Sequence, residues 1–338
     1  MAVSMHDVAR HAGVSQRTVS NVVNNYKHVS PEMRRRVEAS LEALGYRPNV
    51  AARQLRGGRT GTVTLAIPDF KERYFVDLAE AVVERAAEIG QRVLIETTAG
   101  DAARERALLA TGGGQLTDGL VIAARTIEPE DDDLVRAGFP VVVIGDRESV
   151  GGVDHVGIPN RPAARAAVEH LLTIGRRRLA VLGGPSNPPH IFALRRSGVD
   201  EALEAAGLAP DVVLEIPVGW GRVAGERAMD ELLSAGGVLP DGIFAMNDSV
   251  AMGAMRSLQR AGVRVPDDVA IVGFDDIWES AHALPSLTTI SASYRETAVV
   301  ALELIAEQFA ARGAQREHQH RYVGFELKVR GSTIADLD

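Results

Sequence analysis

Gln16, Arg17, Ser20 and Asn21 place hydrogen-bonding side chains on one side of a short stretch, while Val19, Val22 and Val23 fall together on the other. Residues three and four apart are neighbours on a helix, so this segment is expected to form one with an apolar seam and a polar outer face. Gln, Arg and Asn are the side chains that can make paired hydrogen bonds to base edges in the DNA major groove. The chemistry implied is the reading of duplex DNA.

Such a helix needs a frame. Ser15 is a good N-cap after the turn residue Gly13, and Ser4-Met5-His6-Asp7 is a capping-box-like start for a preceding helix with Val8, Ala9 and Ala12 facing inward. Ser30-Pro31-Glu32 opens a third helix with an N-cap, a proline at the first helical position and an early acid. Its buried stripe would be Met33, Val37, Leu41 and Leu44, and Gly45 would close it. The run 49–56 that follows is helix-competent, carries little apolar surface and ends in Gly57-Gly58. Short isolated helices are marginal in water. Arg53, Arg56 and Arg59 make DNA the expected partner against which it folds.

Charge is divided in the same way. Residues 1–59 hold ten Arg plus Lys against four acids, a balance of +6, so a chain of net charge −8 leaves −14 on the remainder. A basic head on an acidic body is the pattern of a DNA-binding module joined to something that does not bind DNA. The 338 residues are enough for two or three units, and 46% hydrophobic with 24% charged residues is ordinary for a soluble globular protein. Zero cysteines exclude disulfides and thiolate metal sites. No signal pattern or bilayer-length apolar run is present, and a cytoplasmic location is expected.

From Thr62 short apolar runs alternate with amphipathic helices. Strands are expected at 63–67, 92–95, 119–123 and 140–144, with helices at 74–89, 102–109 and 131–137 between them. The rhythm restarts with strands at 178–182, 212–216, 242–246 and 269–272, and helices near 161–174, 191–206, 222–235 and 249–261. Alternation of this kind implies parallel sheets covered on both faces, and two of them in series imply a cleft lined by strand ends. Asp146, at the end of such a strand, is a candidate there. No GxxxxGK[ST], HExxH or GxSxG motif is present, so no catalytic site is expected. No cofactor or metal is expected either, because His318 and His320 in one polar loop cannot complete a coordination shell.

Taken together, Asp7-Val8-Ala9, Ala12-Gly13-Val14-Ser15, Thr18-Val19-Ser20, Val29-Ser30-Pro31-Glu32 and Leu44-Gly45-Tyr46-Arg47-Pro48-Asn49 resemble the head and hinge of the LacI/GalR bacterial transcription regulators. Asp118-Gly119-Leu120, Gly183-Gly184-Pro185, Ala245-Met246-Asn247-Asp248, Gly273-Phe274-Asp275-Asp276 and Pro285-Ser286-Leu287-Thr288-Thr289-Ile290 extend the resemblance over the body. It implies an N-terminal all-α helix-turn-helix head and an α/β periplasmic-binding-protein-like core of two parallel-sheet subdomains. The implied division is 1–48 for the head, 49–60 for the hinge, 61–158 with 291–319 for one core subdomain, and 159–290 with 320–338 for the other.

The resemblance also implies roles. Gln16 and Arg17 match base-reading positions, Ser15, Thr18, Ser20 and Asn24 match phosphate contacts, and Met5 and His28 match positions that also reach DNA. Asn49, Ala52 and Leu55 match the hinge, Leu55 being the leucine that wedges into the minor groove. Asn21 stands where many relatives carry Arg, which leaves the half-site open. In the cleft, Arg195, Asn247 and Asp275 match effector-binding positions, and Tyr74, Phe75, Trp220 and Tyr294 match residues that pack against the ligand. That inventory suits sugar hydroxyls. Lys71-Glu72-Arg73 departs from the Asn-Pro often found before the Tyr-Phe pair. The expectation is a homodimeric repressor of double-stranded operator DNA controlled by a sugar. A ligand-binding protein with a basic tail, and a corepressor-dependent regulator of opposite sign, stay open.

Overall fold

The computed structural model describes residues 3–23, 26, 28–46, 59–111, 117–127, 138–145, 152–184, 189–209, 212–311 and 316–335. The chain forms two compact units, Met1–Thr60 and Gly61–Asp338.

In the first unit α1 spans Met5–Ala12, α2 Gln16–Val23 and α3 Pro31–Ala43. The capping box at Ser4 and Asp7 is formed, and Gly13 takes the left-handed conformation (φ 64°) that ends α1 and turns the chain into α2. Ser30 accepts from the Met33 amide at the start of α3. Val8, Ala9, Ala12, Val19, Val22 and Val37 are the buried core, with Leu41, Leu44 and Tyr46 packed against it.

In the second unit, strands β1 (Thr62–Ile67), β2 (Arg92–Thr97), β3 (Leu120–Ile122), β4 (Val141–Ile144), β5 (Asp154–Gly157) and β11 (His320–Tyr322) form one sheet, ordered β11-β5-β4-β3-β1-β2 and parallel throughout. A second sheet, ordered β12-β10-β9-β8-β6-β7, is built from β6 (Leu179–Leu182), β7 (Leu214–Ile216), β8 (Gly242–Ala245), β9 (Ala270–Phe274), β10 (Thr288–Ala292) and β12 (Phe325–Lys328). Only β12 runs antiparallel to its neighbour. The central strands β3, β4, β6, β8 and β9 are buried along their whole length, as continuous apolar runs covered on both faces require. Helices α4 (Arg73–Glu88), α5 (Ala102–Thr111) and α10 (Tyr294–Ala310) belong with the first sheet. Helices α6 (Asn160–Thr173), α7 (Pro189–Ala205), α8 (Arg222–Ser234) and α9 (Asp248–Arg260) belong with the second.

Two boundaries differ from expectation. Thr288–Ala292 is a strand of the second sheet, so the second crossover falls after residue 292 instead of at 290. His320–Tyr322 pairs with β5 in the first sheet, and only from Phe325 does the chain pair in the second, so the third crossover lies between these two strands instead of at 320. The reason is a buried ion pair. Fully buried Asp154 on β5 accepts from Arg316 at 2.6 and 2.8 Å and from the Gln319 amide at 2.8 Å, which holds the approach to β11 on the first sheet. The helix expected at 131–137 lies outside the described residues.

Helices α8 and α9 touch backbone to backbone. A Cβ at Gly253 would fall far inside van der Waals contact distance of the Arg222 carbonyl oxygen and lie 2.7 Å from the Glu226 nitrogen. Gly253→Ala is therefore expected to destabilise the core by about 2–3 kcal/mol, although alanine favours a helix by about 1 kcal/mol over glycine. A lowered urea midpoint checks this, and an unchanged midpoint refutes it.

Candidate functional site

The head presents its polar residues as α2 requires. Ser15 Oγ accepts from the Thr18 amide at 3.1 Å and lies 2.8 Å from the Thr18 hydroxyl, which starts the helix and orients its first turn. Val19 and Val22 are buried below, so Ser15, Gln16 and Arg17 are exposed and Thr18, Ser20 and Asn21 are half-buried. Two arginines of α3 hold neighbouring backbone at the surface: Arg36 donates to the Gly13 carbonyl at 3.2 Å and Arg34 to the Tyr26 carbonyl at 3.1 Å. They brace the turn before α2 and the segment after it. Met5 packs against the head core, and His28 lies edge-on to Tyr26 at 5.4 Å. Asn24, Asn49, Ala52 and Leu55 lie outside the described residues.

In the second unit a cleft is lined from both sheets at the carboxyl ends of their strands. Six of the expected residues meet there: Tyr74, Phe75, Arg195, Trp220, Asn247 and Asp275. Each follows a strand, β1 for the first two, then β6, β7, β8 and β9. Asp146 lies outside the described residues. Tyr294 does not line the cleft; its ring stands 5.6 Å behind that of Tyr74, and its buried hydroxyl has no hydrogen-bond partner among the described residues. Burial, with the charge of Asp275 adding, pushes the Tyr294 phenol well above its ordinary range, so it stays a neutral donor.

The three polar residues are not equivalent. Arg195 is only 1% exposed: its Nε donates to Asn160 Oδ1 at 2.8 Å, its Nη1 donates to the Met246 carbonyl, and its guanidinium lies 3.5 Å from the centre of the Phe274 ring. It is a bolt between α6, α7 and β8 that also borders the cleft. Asn247 caps α9 by accepting from the Val250 amide at 2.8 Å, and its amide nitrogen donates to the Trp220 carbonyl at 2.9 Å, which fixes the turn carrying the tryptophan. Each end of that amide keeps one further hydrogen-bonding capacity. Asp275 has φ 120° and Asp276 φ 54°, conformations that cost non-glycine residues about 1–3 kcal/mol each. The surroundings impose them. Asp275 N donates to the Ile290 carbonyl, Arg330 pairs with Asp276 at 2.7 Å, and fully buried Asp248 accepts from Ile277 N, Ser280 Oγ and Thr289 Oγ1 at 3.1, 2.6 and 2.5 Å.

Some cleft residues went unassigned from sequence. Arg125, after β3, stands 5.5 Å over the Phe75 ring. Its place just past a strand end is the signal that would have found it. Glu72, noted only as a departure from the family pattern, precedes α4 and faces Arg125 and the Ser249 hydroxyl. Burial pushes its carboxyl above the usual range, against the opposing pull of Arg125. At one side, Asp77 Oδ2 accepts from the Trp278 amide at 3.0 Å and Arg73 approaches Glu279 at 3.6 Å, joining the two halves of the core. Two guanidinium groups, two carboxylates, an amide and three aromatic rings make a lining of balanced charge that can grip a polyhydroxylated ring.

Comparison with known proteins gives two matches to protein families: Bacterial regulatory proteins, lacI family, over residues 4–49, and Periplasmic binding protein-like domain, over residues 168–333. Catabolite control protein A of Priestia megaterium is 30% identical over 91% of this chain and 92% of its own length. The solved structure of the lac repressor dimer bound to operator and the anti-inducer ONPF is 27% identical, with a TM-score of 0.82 over 99% of this chain and 100% of that one. A complex of the transcriptional regulator CelR with cellobiose is 29% identical, with a TM-score of 0.68 over 98% of this chain and 99% of that one.

Proposed function

This chain belongs to the LacI family of bacterial regulatory proteins, DNA-binding transcriptional regulators, and from that membership we propose that it is a repressor whose operator affinity is set by a sugar in the core cleft. The observation that carries the DNA half is the exposure of Gln16 and Arg17 at the start of a helix whose Val19 and Val22 are anchored in the head core. Arg reads guanine and Gln reads adenine through paired bonds, so these two residues set the half-site. A homodimer presenting two such helices requires a nearly palindromic operator.

The effector half rests on the balanced, aromatic-walled cleft and on relatives whose solved structures hold ONPF or cellobiose. Both walls of the cleft contribute polar groups, so a ligand that bonds to both changes the relation of the two subdomains. A coupling of about 1–3 kcal/mol between effector and operator is the expected size. We assign release of DNA as the response.

The test is a footprint of the intact protein on DNA upstream of its own gene, repeated with sugars. Arg17→Ala is expected to weaken the protected site by roughly tenfold or more, the worth of a bidentate base contact. Equal protection by the variant refutes the assignment of Arg17. Protection strengthened by every active sugar refutes the inducer assignment and favours corepression.

A further inference from the structure

Glu105 of α5 is fully buried, and everything it binds belongs to one short segment of the cleft wall. Its Oε1 accepts from the Arg125 amide at 2.9 Å, and its Oε2 accepts from the Thr126 amide at 3.0 Å and the Thr126 hydroxyl at 2.6 Å. A carboxylate in the interior is costly unless its lone pairs are filled, and here three donors from residues 125 and 126 fill them. Those two residues stand just past the end of β3 and are only half-buried themselves. What the arrangement fixes is the direction in which Arg125 leaves the sheet.

Arg125 leaves it into the cleft. Its guanidinium lies over the face of Phe75, with the Glu72 carboxylate near enough to feel its charge. A planar fork of donors beside an acceptor carboxylate matches two adjacent hydroxyl groups, one accepting from the arginine and one donating to the glutamate. We propose that Arg125 is a specificity-determining residue of the cleft, selecting a ring with vicinal hydroxyls, and that Glu105 is the residue that positions it. This rests on the sugar reading above, and adds to it a contact on the wall formed by the first sheet.

The two roles make a linked prediction. With the full-length protein and D-ribose, D-glucose, D-cellobiose and lactose as calorimetric probes, Arg125→Ala is expected to weaken the tightest probe by roughly tenfold, the usual worth of a hydrogen bond to a charged group. Glu105→Gln keeps the size of the side chain but turns an amide NH2 toward the Arg125 and Thr126 donors, and is expected to weaken the same probe to a similar degree. The double variant should then be no weaker than Arg125→Ala alone, because the position of a side chain that has been removed no longer matters. If Glu105→Gln does not fold, Thr126→Val removes one of the three bonds and should give a smaller loss that also vanishes in the Arg125→Ala background. Additive losses in the double variant overturn the positioning role, and unchanged binding by Arg125→Ala overturns the specificity role. If none of the four sugars binds the parent protein, the sugar reading itself falls, and this proposal with it.

Discussion

Arg195→Ala is expected to destabilise the core by about 3–5 kcal/mol, more than loss of a ligand contact alone would produce. The substitution leaves Asn160 Oδ1 and the Met246 carbonyl without their donor, in a place where the arginine is 1% exposed. It also opens a cavity beside Phe274, against which the guanidinium stacks at 3.5 Å. Lysine does not substitute, because a single ammonium cannot reach two acceptors in different directions while covering a ring. Urea denaturation of Arg195→Ala and Arg195→Lys measures this, and a loss below about 1 kcal/mol in both would show that the guanidinium is not the bolt described. A consequence for effector studies follows. Lost sugar binding in Arg195→Ala does not by itself establish a contact, whereas Asp275→Asn, at a half-buried position on the cleft wall, is the cleaner probe.

Asp248 has the second large effect, and it is one of pH. Burial pushes its carboxyl up to about 7, against the downward pull of bonds from Ser280, Thr289 and the Ile277 amide. In the unfolded chain the group titrates near 3.8, so between those values the folded core retains a proton that the unfolded chain has released. The stability it contributes is full below about pH 4 and is lost as pH rises through 7, a change on the order of 4 kcal/mol. Asp248→Asn is expected to flatten that decline, since the amide oxygen still accepts and the Ser280 and Thr289 hydroxyls can rotate to accept in turn. Unfolding free energies from pH 4 to 8 measure it for parent and variant. A flat parent profile, or the same slope in both, would sink the assignment. Because Asp248 also holds the loop that carries Asp275, the variant separates the loop's support from its charge.

The head was legible in the sequence because its signals are local. Ser4 with Asp7, Gly13, Ser15 and Ser30 act on backbone groups within a few residues, and the valines of α2 are sorted by helical period alone. The central strands were legible for a related reason, since a strand buried on both faces must be apolar throughout. Strand β5 was not, because Asp154 and His155 are polar and fully buried, and Asp154 is neutralised by Arg316, more than 150 residues away. Hydropathy cannot register a partner that distant.

The sequence by itself determined a sequence-reading head, a two-sheet body and the set of strand-end residues from which a binding site is drawn. Tertiary structure alone decided their use. It placed Tyr294 behind Tyr74 instead of in the cleft, made Arg195 and Asn247 members of the scaffold, and bound Arg34 and Arg36 to backbone carbonyls of the head. It brought Arg125 and Glu72 into the same cleft as Asp275, with Glu105 and Asp248 as buried supports. Capping and periodicity depend on near neighbours, and so are written in the order of residues. Burial and the pairing of charges depend on which strands lie side by side, and the crossovers near residues 159, 292 and 323 settle that only when the chain is folded.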